Sequence, residues 1–205
     1  MAFYLAKTTS TEYVDITGAL PGNRLQFSAF TRIDIEYDLT QSTSEVSLLS
    51  RSNGAVQISL RGATSQIVIA GYGLINAPDL LLNTRQTLTI INNGSGSFTV
   101  QIDGVTQDTV TSSFSFFFAE RILTNGNIDL YSYTVVNGAT VLLDYDPSAT
   151  NGTGLVLKDT SGNQDGTLTN FTGTTNSWWV SYGSAITITP LSINSSSISV
   201  DPAIQ

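Results

Sequence analysis

The chain has 205 residues and a formal net charge of −8, with charged residues at 12% and apolar residues at 40%. That is enough for one domain with a buried core, and too few charges for a disordered chain or a coiled coil. Cys and His are absent, which excludes disulfides, thiolate or imidazole metal sites, and Ser-His-Asp or Cys-His catalysis. A pI near 4.2 leaves little to neutralise a row of phosphates, so no nucleic-acid partner is expected. No apolar run reaches the roughly 20 residues that span a bilayer, and the start MAFYLAKTTS lacks the basic and apolar regions of a secretory leader. A soluble protein with no membrane insertion is expected.

Short runs of β-branched, aromatic and Thr residues, alternating polar and apolar, recur along the chain. Strands are predicted over residues 11–17, 27–39, 55–60, 66–70, 87–91, 98–103, 127–136, 140–145 and 178–182. Between them, Asn92-Asn93-Gly94-Ser95-Gly96 and Asp103-Gly104 supply the positive-φ residues of tight hairpins. Many short strands with regular turns predict an all-β fold, a two-sheet antiparallel β-sandwich. Phe114, Phe116, Phe117 and Phe118 read as sandwich core. A soft boundary falls near residue 183. Residues 1–183 form the sandwich, and residues 184–205 read as a closing edge strand or a linker to a further module.

Several segments resemble LamG-like, concanavalin A-like lectin/glucanase domains. Gly126-Asn-Ile-Asp-Leu-Tyr-Ser-Tyr133 is similar to that family's "G-x-I-D-E-V-x-I-Y" strand, and Phe98-Thr-Val-Gln-Ile-Asp-Gly104-Val105 to the hairpin before it. Ser10-Thr-Glu-Tyr-Val-Asp-Ile16 resembles its "S-x-D-Y-V-x-I" strand. Leu143-Asp-Tyr-Asp-Pro147 with Lys158-Asp-Thr-Ser-Gly-Asn-Gln-Asp-Gly-Thr-Leu168 resembles its "F-D … D-S-S-G-N-G-N-D-G-T-L" block. That block closes the domain here and opens it in the family, an order like the permuted one of phage tail and virion-associated proteins. The resemblance implies a jelly roll that binds a polysaccharide or oligosaccharide, in an extracellular or virion-associated setting and attached to further domains. A glycoside hydrolase or lyase of the same fold, or an assembly domain of a virion or adhesin, are the alternatives.

The strand Arg32-Ile-Asp34-Ile-Glu36-Tyr-Asp38 resembles the "E-I-D-I-E" strand of family 16 glycoside hydrolases. Alternation sends Ile33, Ile35, Tyr37 and Leu39 to one face and the charges to the other. Retaining hydrolysis needs two carboxyl groups roughly 5–5.5 Å apart, but Arg32 stands where the family carries its nucleophile. A non-catalytic protein is therefore expected. Arg32, Asp34 and Glu36 then serve as polar partners for sugar hydroxyls, or form a cross-strand salt-bridge ladder. Aromatic rings pack on the C–H faces of sugars, and Tyr72, Trp178 and Trp179 are the candidates. Alternation predicts that one of the adjacent Trp rings is buried and the other exposed, near Arg32–Asp38 or Tyr72. Tyr131 and Tyr133 are expected on one face, opposite Ile128 and Leu130. Asp159, Asn163 and Asp165 lie in a loop rich in oxygen donors. The composition suits calcium and equally an Asx turn that caps its own backbone. No cofactor is required, and a structural calcium is compatible with the resemblance.

Overall fold

The computed structural model describes residues 2–9, 11–17, 25–26, 30–40, 45–51, 53, 55–70, 72–111, 118–150, 153–163, 165–172 and 177–182. Phe114, Phe116 and Phe117 and the segment 184–205 lie outside the described residues. The strands in the first half are β1 (Ala2–Lys7), β2 (Tyr13–Asp15), β3 (Leu25–Gln26), β4 (Arg32–Asp38), β5 (Glu45–Ser50), β6 (Val56–Arg61), β7 (Gln66–Ile69), β8 (Gly73–Asn76) and β9 (Arg85–Gly94). They continue as β10 (Ser97–Ile102), β11 (Val105–Thr111), β12 (Phe118–Ala119), β13 (Arg121–Thr124), β14 (Ile128–Asn137), β15 (Thr140–Tyr145), β16 (Val156–Leu157), β17 (Gly166–Thr169) and β18 (Trp179–Tyr182). Among the described residues the helical pieces are two 3₁₀ turns, Gly62–Thr64 and Pro147–Thr150. No helix there is long and apolar enough to cross a membrane.

The strands form two antiparallel sheets and a short β3–β12 ribbon. The first sheet runs β11-β10-β9-β4-β14-β1-β18, and the second β16-β17-β2-β13-β5-β6-β7-β8. β14 is long enough to serve two partners along one edge, β1 at Ile128–Leu130 and β15 at Tyr133–Asn137, while β4 takes the other edge. β1, β3, β5, β8, β11, β12, β13, β16 and β17 were not among the predicted strands. The expected hairpin chemistry is present: Asp103 and Gly104 hold φ of 49° and 80° in the two-residue β10–β11 turn, the pair of left-handed residues that matches strand twist.

Alternation places the core. Ile33, Ile35 and Tyr37 of β4 are 0% exposed, and Phe98, Val100 and Ile102 of β10 and Leu88 and Ile90 of β9 are buried beside them. The second sheet answers with Val14, Val46, Leu60, Ile67 and Ile122. Each such side chain contributes about 1.5–3 kcal/mol by leaving water. Three core tyrosines, Tyr37, Tyr133 and Tyr145, keep hydroxyls shielded from solvent without a hydrogen-bond partner among the described residues. Burial raises the pKa of all three. Lys7 is also interior: its ammonium donates to the carbonyls of Thr9 and Gly126, and burial lowers its pKa to about 8 against the opposing pull of Glu12.

The two sheets differ in their outer faces. Ser47 to Ser50 of β5 and Gln57 to Leu60 of β6 are buried at every position, so both sides of the second sheet are covered there, with β12 against β5. On the first sheet, buried residues of β4, β10 and β14 alternate with partly exposed ones. That sheet offers an open outer face.

Gly126 is held at φ +61°, its carbonyl takes Lys7, and a Cβ there would meet Val46 Cγ2 at 2.5 Å and the Glu45 carbonyl oxygen at 3.2 Å. Gly126→Ala should therefore destabilise the protein by about 1–3 kcal/mol, read as a lower denaturation midpoint in urea. An unchanged midpoint would contradict this packing.

Candidate functional site

The open face is built outward from β4. Arg32, Asp34, Glu36 and Asp38 point away from the core as predicted. Register sets Asp34 opposite Thr89 of β9 and Thr134 of β14, and Glu36 opposite Thr87 and Ser132. Arg32 Nε lies 2.7 Å from Asp34 Oδ2, and Thr89 Oγ1 donates to Asp34 Oδ1 at 2.6 Å. Arg85 of β9 pairs with Glu36 at 2.7 Å. These pairs are partly exposed, so each contributes at most about 1 kcal/mol of stability. Their effect is to lock a row of donors and acceptors in place.

Beside this row stands an aromatic cluster. Tyr4 of β1, Tyr131 of β14 and Tyr182 of β18 are half-buried, with ring centroids 5.0 Å apart for Tyr4–Tyr131, 6.0 Å for Tyr4–Tyr182 and 5.1 Å for Tyr131–Tyr182. The Arg85 guanidinium lies 4.1 Å from the Tyr131 ring centre and 4.9 Å from that of Tyr182, a cation–π geometry. Arg85 therefore joins the ionic row to the aromatic cluster.

A β-bulge makes this arrangement. Pairing with β4 shifts between Leu130 and Ser132, so Tyr131 is an extra residue and the inward phase changes across it. Ile128 and Leu130 are buried before the bulge, and Tyr133 and Val135 after it. This corrects the expectation that Tyr131 and Tyr133 share a face: Tyr133 is core, packed 6.2 Å from Tyr145, and Tyr131 is on the open face.

Under the cluster lies a carboxylate pair. Asp129 of β14 sits directly opposite Asp38 of β4. Burial, then the Asp38 charge, raises the Asp129 pKa to about 6. Burial also raises Asp38, partly offset by the Thr84 N–H, and its Oδ1 is shielded from solvent without a hydrogen-bond partner among the described residues.

The remaining predicted residues fall elsewhere. Trp178 and Trp179 are both buried, at 8% and 6% exposure, which corrects the expectation of one exposed ring. β18 begins at Trp179, so strand alternation does not apply to Trp178. Both indole N–H groups donate to the Gly154 carbonyl, at 3.1 and 2.9 Å, and Trp178 packs edge-on to Phe171. The pair anchors the residue 154 segment and presents no ring to a ligand. Tyr72 is exposed, but it precedes β8 and its hydroxyl donates to Asp108 of β11 at 3.4 Å, tying the sheet edges. β11 lies three strands from β4, about 14 Å at normal strand spacing. Arg32, Asp34 and Glu36 are thus brought together, without Tyr72 or the tryptophans.

The loop of Asp159, Asn163 and Asp165 is self-capped. Asp159 accepts from the backbone N–H groups of Asp144, Ser161 and Asn163 at 2.8, 3.0 and 2.9 Å, and from the Ser161 hydroxyl at 2.6 Å. Asp165 accepts from the Asp159 N–H and pairs with Lys158 at 2.6 Å. Asn163 donates to the Leu142 carbonyl at 2.8 Å. Carboxylates turned onto N–H donors and an ammonium do not fit a cation in this arrangement. No group of three acidic side chains placed to hold a metal occurs among the described residues.

No protein-family model matches the sequence, and no curated protein matches it. Among solved structures the chain is similar to a Bacteroides ovatus protein described as a "putative carbohydrate binding protein", with a TM-score of 0.58 and 13% identity over 89% of this chain. The match covers 63% of that protein's length. A Caenorhabditis elegans galectin matches 64% of this chain and 99% of its own at 16% identity, with a TM-score of 0.42 that carries no argument. The first similarity shows the fold, a two-sheet antiparallel β-sandwich.

Two outcomes follow. Trp178→Ala and Trp179→Ala should each cost about 3–5 kcal/mol of stability, measured by chemical denaturation; a normal midpoint for either would place that ring outside the core. Asp129 has its pKa raised from 3.8 to about 6 on folding, so its stabilising contribution is full below 3.8 and lost as pH rises through about 6. Asp129→Asn should melt higher than wild type near neutral pH, with the two curves converging in acid. A lower melting temperature for the variant near neutral pH would contradict this environment.

Proposed function

We propose that this chain is a non-catalytic carbohydrate-binding domain whose ligand lies on the outer face of the β4-containing sheet. The observation that carries the reading is the Tyr4–Tyr131–Tyr182 cluster, joined through Arg85 to the row Arg32, Asp34 and Glu36. A saccharide needs an apolar platform for its C–H faces and fixed donors and acceptors for its hydroxyls. This face supplies both on rigid strands, where geometry is better held than on loops. The likeness to the Bacteroides ovatus protein supports the reading through its fold and its description, and fold alone does not fix function.

The row itself favours binding over hydrolysis. Arg32 stands at the nucleophile position of the resembling hydrolase strand, and the two carboxylates nearest it, Asp34 and Glu36, are each held by a guanidinium at 2.7 Å. Ligand is proposed to rest on the Tyr131 side, with Thr87 and Ser132 adding hydroxyls beside the row. The protein is proposed to act in an extracellular or virion-associated setting.

A glycan array followed by titration calorimetry tests this. Tyr131→Ala should weaken the best glycan by about tenfold or more, since a few aromatic and Arg anchors dominate recognition. Leu74→Ser, on β8 of the other sheet and 51% exposed, should bind as wild type. Full affinity in Tyr131→Ala, or no glycan bound by wild type, would overturn the reading.

A further inference from the structure

We infer that Arg85 is a gate on the aromatic platform, its guanidinium covering the Tyr131 ring and swinging aside before a sugar can stack there. The inference rests on the carbohydrate-binding reading above and adds how that face is opened. The Arg85 guanidinium carbon lies 4.1 Å from the Tyr131 ring centre. Carbon atoms in contact stand about 3.5–4.0 Å apart, so a sugar ring lying between the two groups would need a gap of about 7–8 Å. Guanidinium and sugar therefore compete for one ring face.

Of the groups around Tyr131, Arg85 is the one that a single side-chain movement can clear. Tyr4 packs with its ring centre 5.0 Å away, and Tyr182 meets Tyr131 edge-on at 5.1 Å. Both are half-buried and stand on β1 and β18, which pair with each other. Arg85 is different. It starts at the first residue of β9 and reaches across β4 to lie over a residue of β14, two strand spacings or roughly 9.6 Å away. Its side chain is 41% exposed, so the arm has solvent to swing into.

The latch is Glu36, on the strand that the arm crosses. Register sets Arg85 opposite Asp38 and Glu36 opposite Thr87, so the 2.7 Å pair between Arg85 Nε and Glu36 Oε1 runs diagonally and draws the guanidinium along β4. The same guanidinium lies 4.9 Å from the Tyr182 ring centre. An exposed ion pair and an exposed cation–π contact together favour the closed arrangement by about three- to thirtyfold. Apparent affinity for the platform falls in proportion to the open fraction. Salt screens the latch, whereas a neutral sugar carries no charge for salt to screen.

The test is titration calorimetry of wild type and Arg85→Ala, each as the full chain, at low and high NaCl concentration. The probes are neutral oligosaccharides of glucose, mannose, xylose and galactose. Arg85→Ala should bind the best of them about tenfold more tightly than wild type at low salt. Wild-type affinity should rise severalfold with salt, and that of Arg85→Ala should stay level. A melting curve checks that the variant folds, and the wild-type salt series needs no variant. Weaker binding by Arg85→Ala would make Arg85 a sugar contact, overturning the gate and leaving the carbohydrate reading standing. Equal affinity in the two proteins, or a wild-type affinity that stays flat or falls with salt, would overturn the gate as well. If no oligosaccharide binds either protein, the carbohydrate reading falls and the gate with it.

Discussion

A strand has only two sides, and in β14 one inserted residue decides which side chains reach solvent. Without the bulge at Tyr131, a continuous period of two from Ile128 and Leu130 would send Ser132 and Thr134 inward and put Tyr133 and Val135 in water. With it, Tyr133 meets Tyr145 in the core, and Thr134 reaches Asp144 on the outside at 2.9 Å. The inserted ring is left over on the open face, between Tyr4 and Arg85. β14 also carries β1, β15 and β4, so the same residue sets the register on which Asp129 meets Asp38. Bulges commonly re-aim side chains in this way beside binding sites.

The electrostatics of the face are uneven. Toward Arg32 each carboxylate has a guanidinium, and the pairs are wet enough to contribute little to folding. Toward Tyr4 two carboxylates share a drier space, and both have their pKa raised by burial. Such a pair costs stability near neutral pH, where a buried carboxylate must give up its proton. The covered second sheet, with Ser47, Ser50 and Ser59 buried, has no comparable arrangement among the described residues.

Much of the fold was legible because period-two patterning is strong wherever one face is buried. The β4 sequence predicted its inward and outward residues correctly, and Asp103-Gly104 predicted its turn. β1 was missed because AFYLAK has little polar alternation, its interior Lys7 least of all. The candidate site was legible only along β4. Asp129 and Arg85 join it through pairing between strands distant in sequence, which no local pattern shows. The bulge did leave a trace: inward residues fall at Ile128 and Leu130, then Tyr133 and Val135, a three-residue step where two was expected. The tryptophans misled for a related reason, since alternation was applied to Trp178, which lies before the strand begins.

The central claim is that the open face of the first sheet is where a saccharide rests. The most direct measurement is a crystal structure of the chain with a bound oligosaccharide. The account predicts a sugar ring against the Tyr131 side of the aromatic cluster, with hydroxyls on the Arg32–Asp34–Glu36 row. A saccharide seated instead at the Tyr72–Asp108 edge or in the loop of Asp159 to Asp165, with the tyrosine cluster untouched, would contradict it.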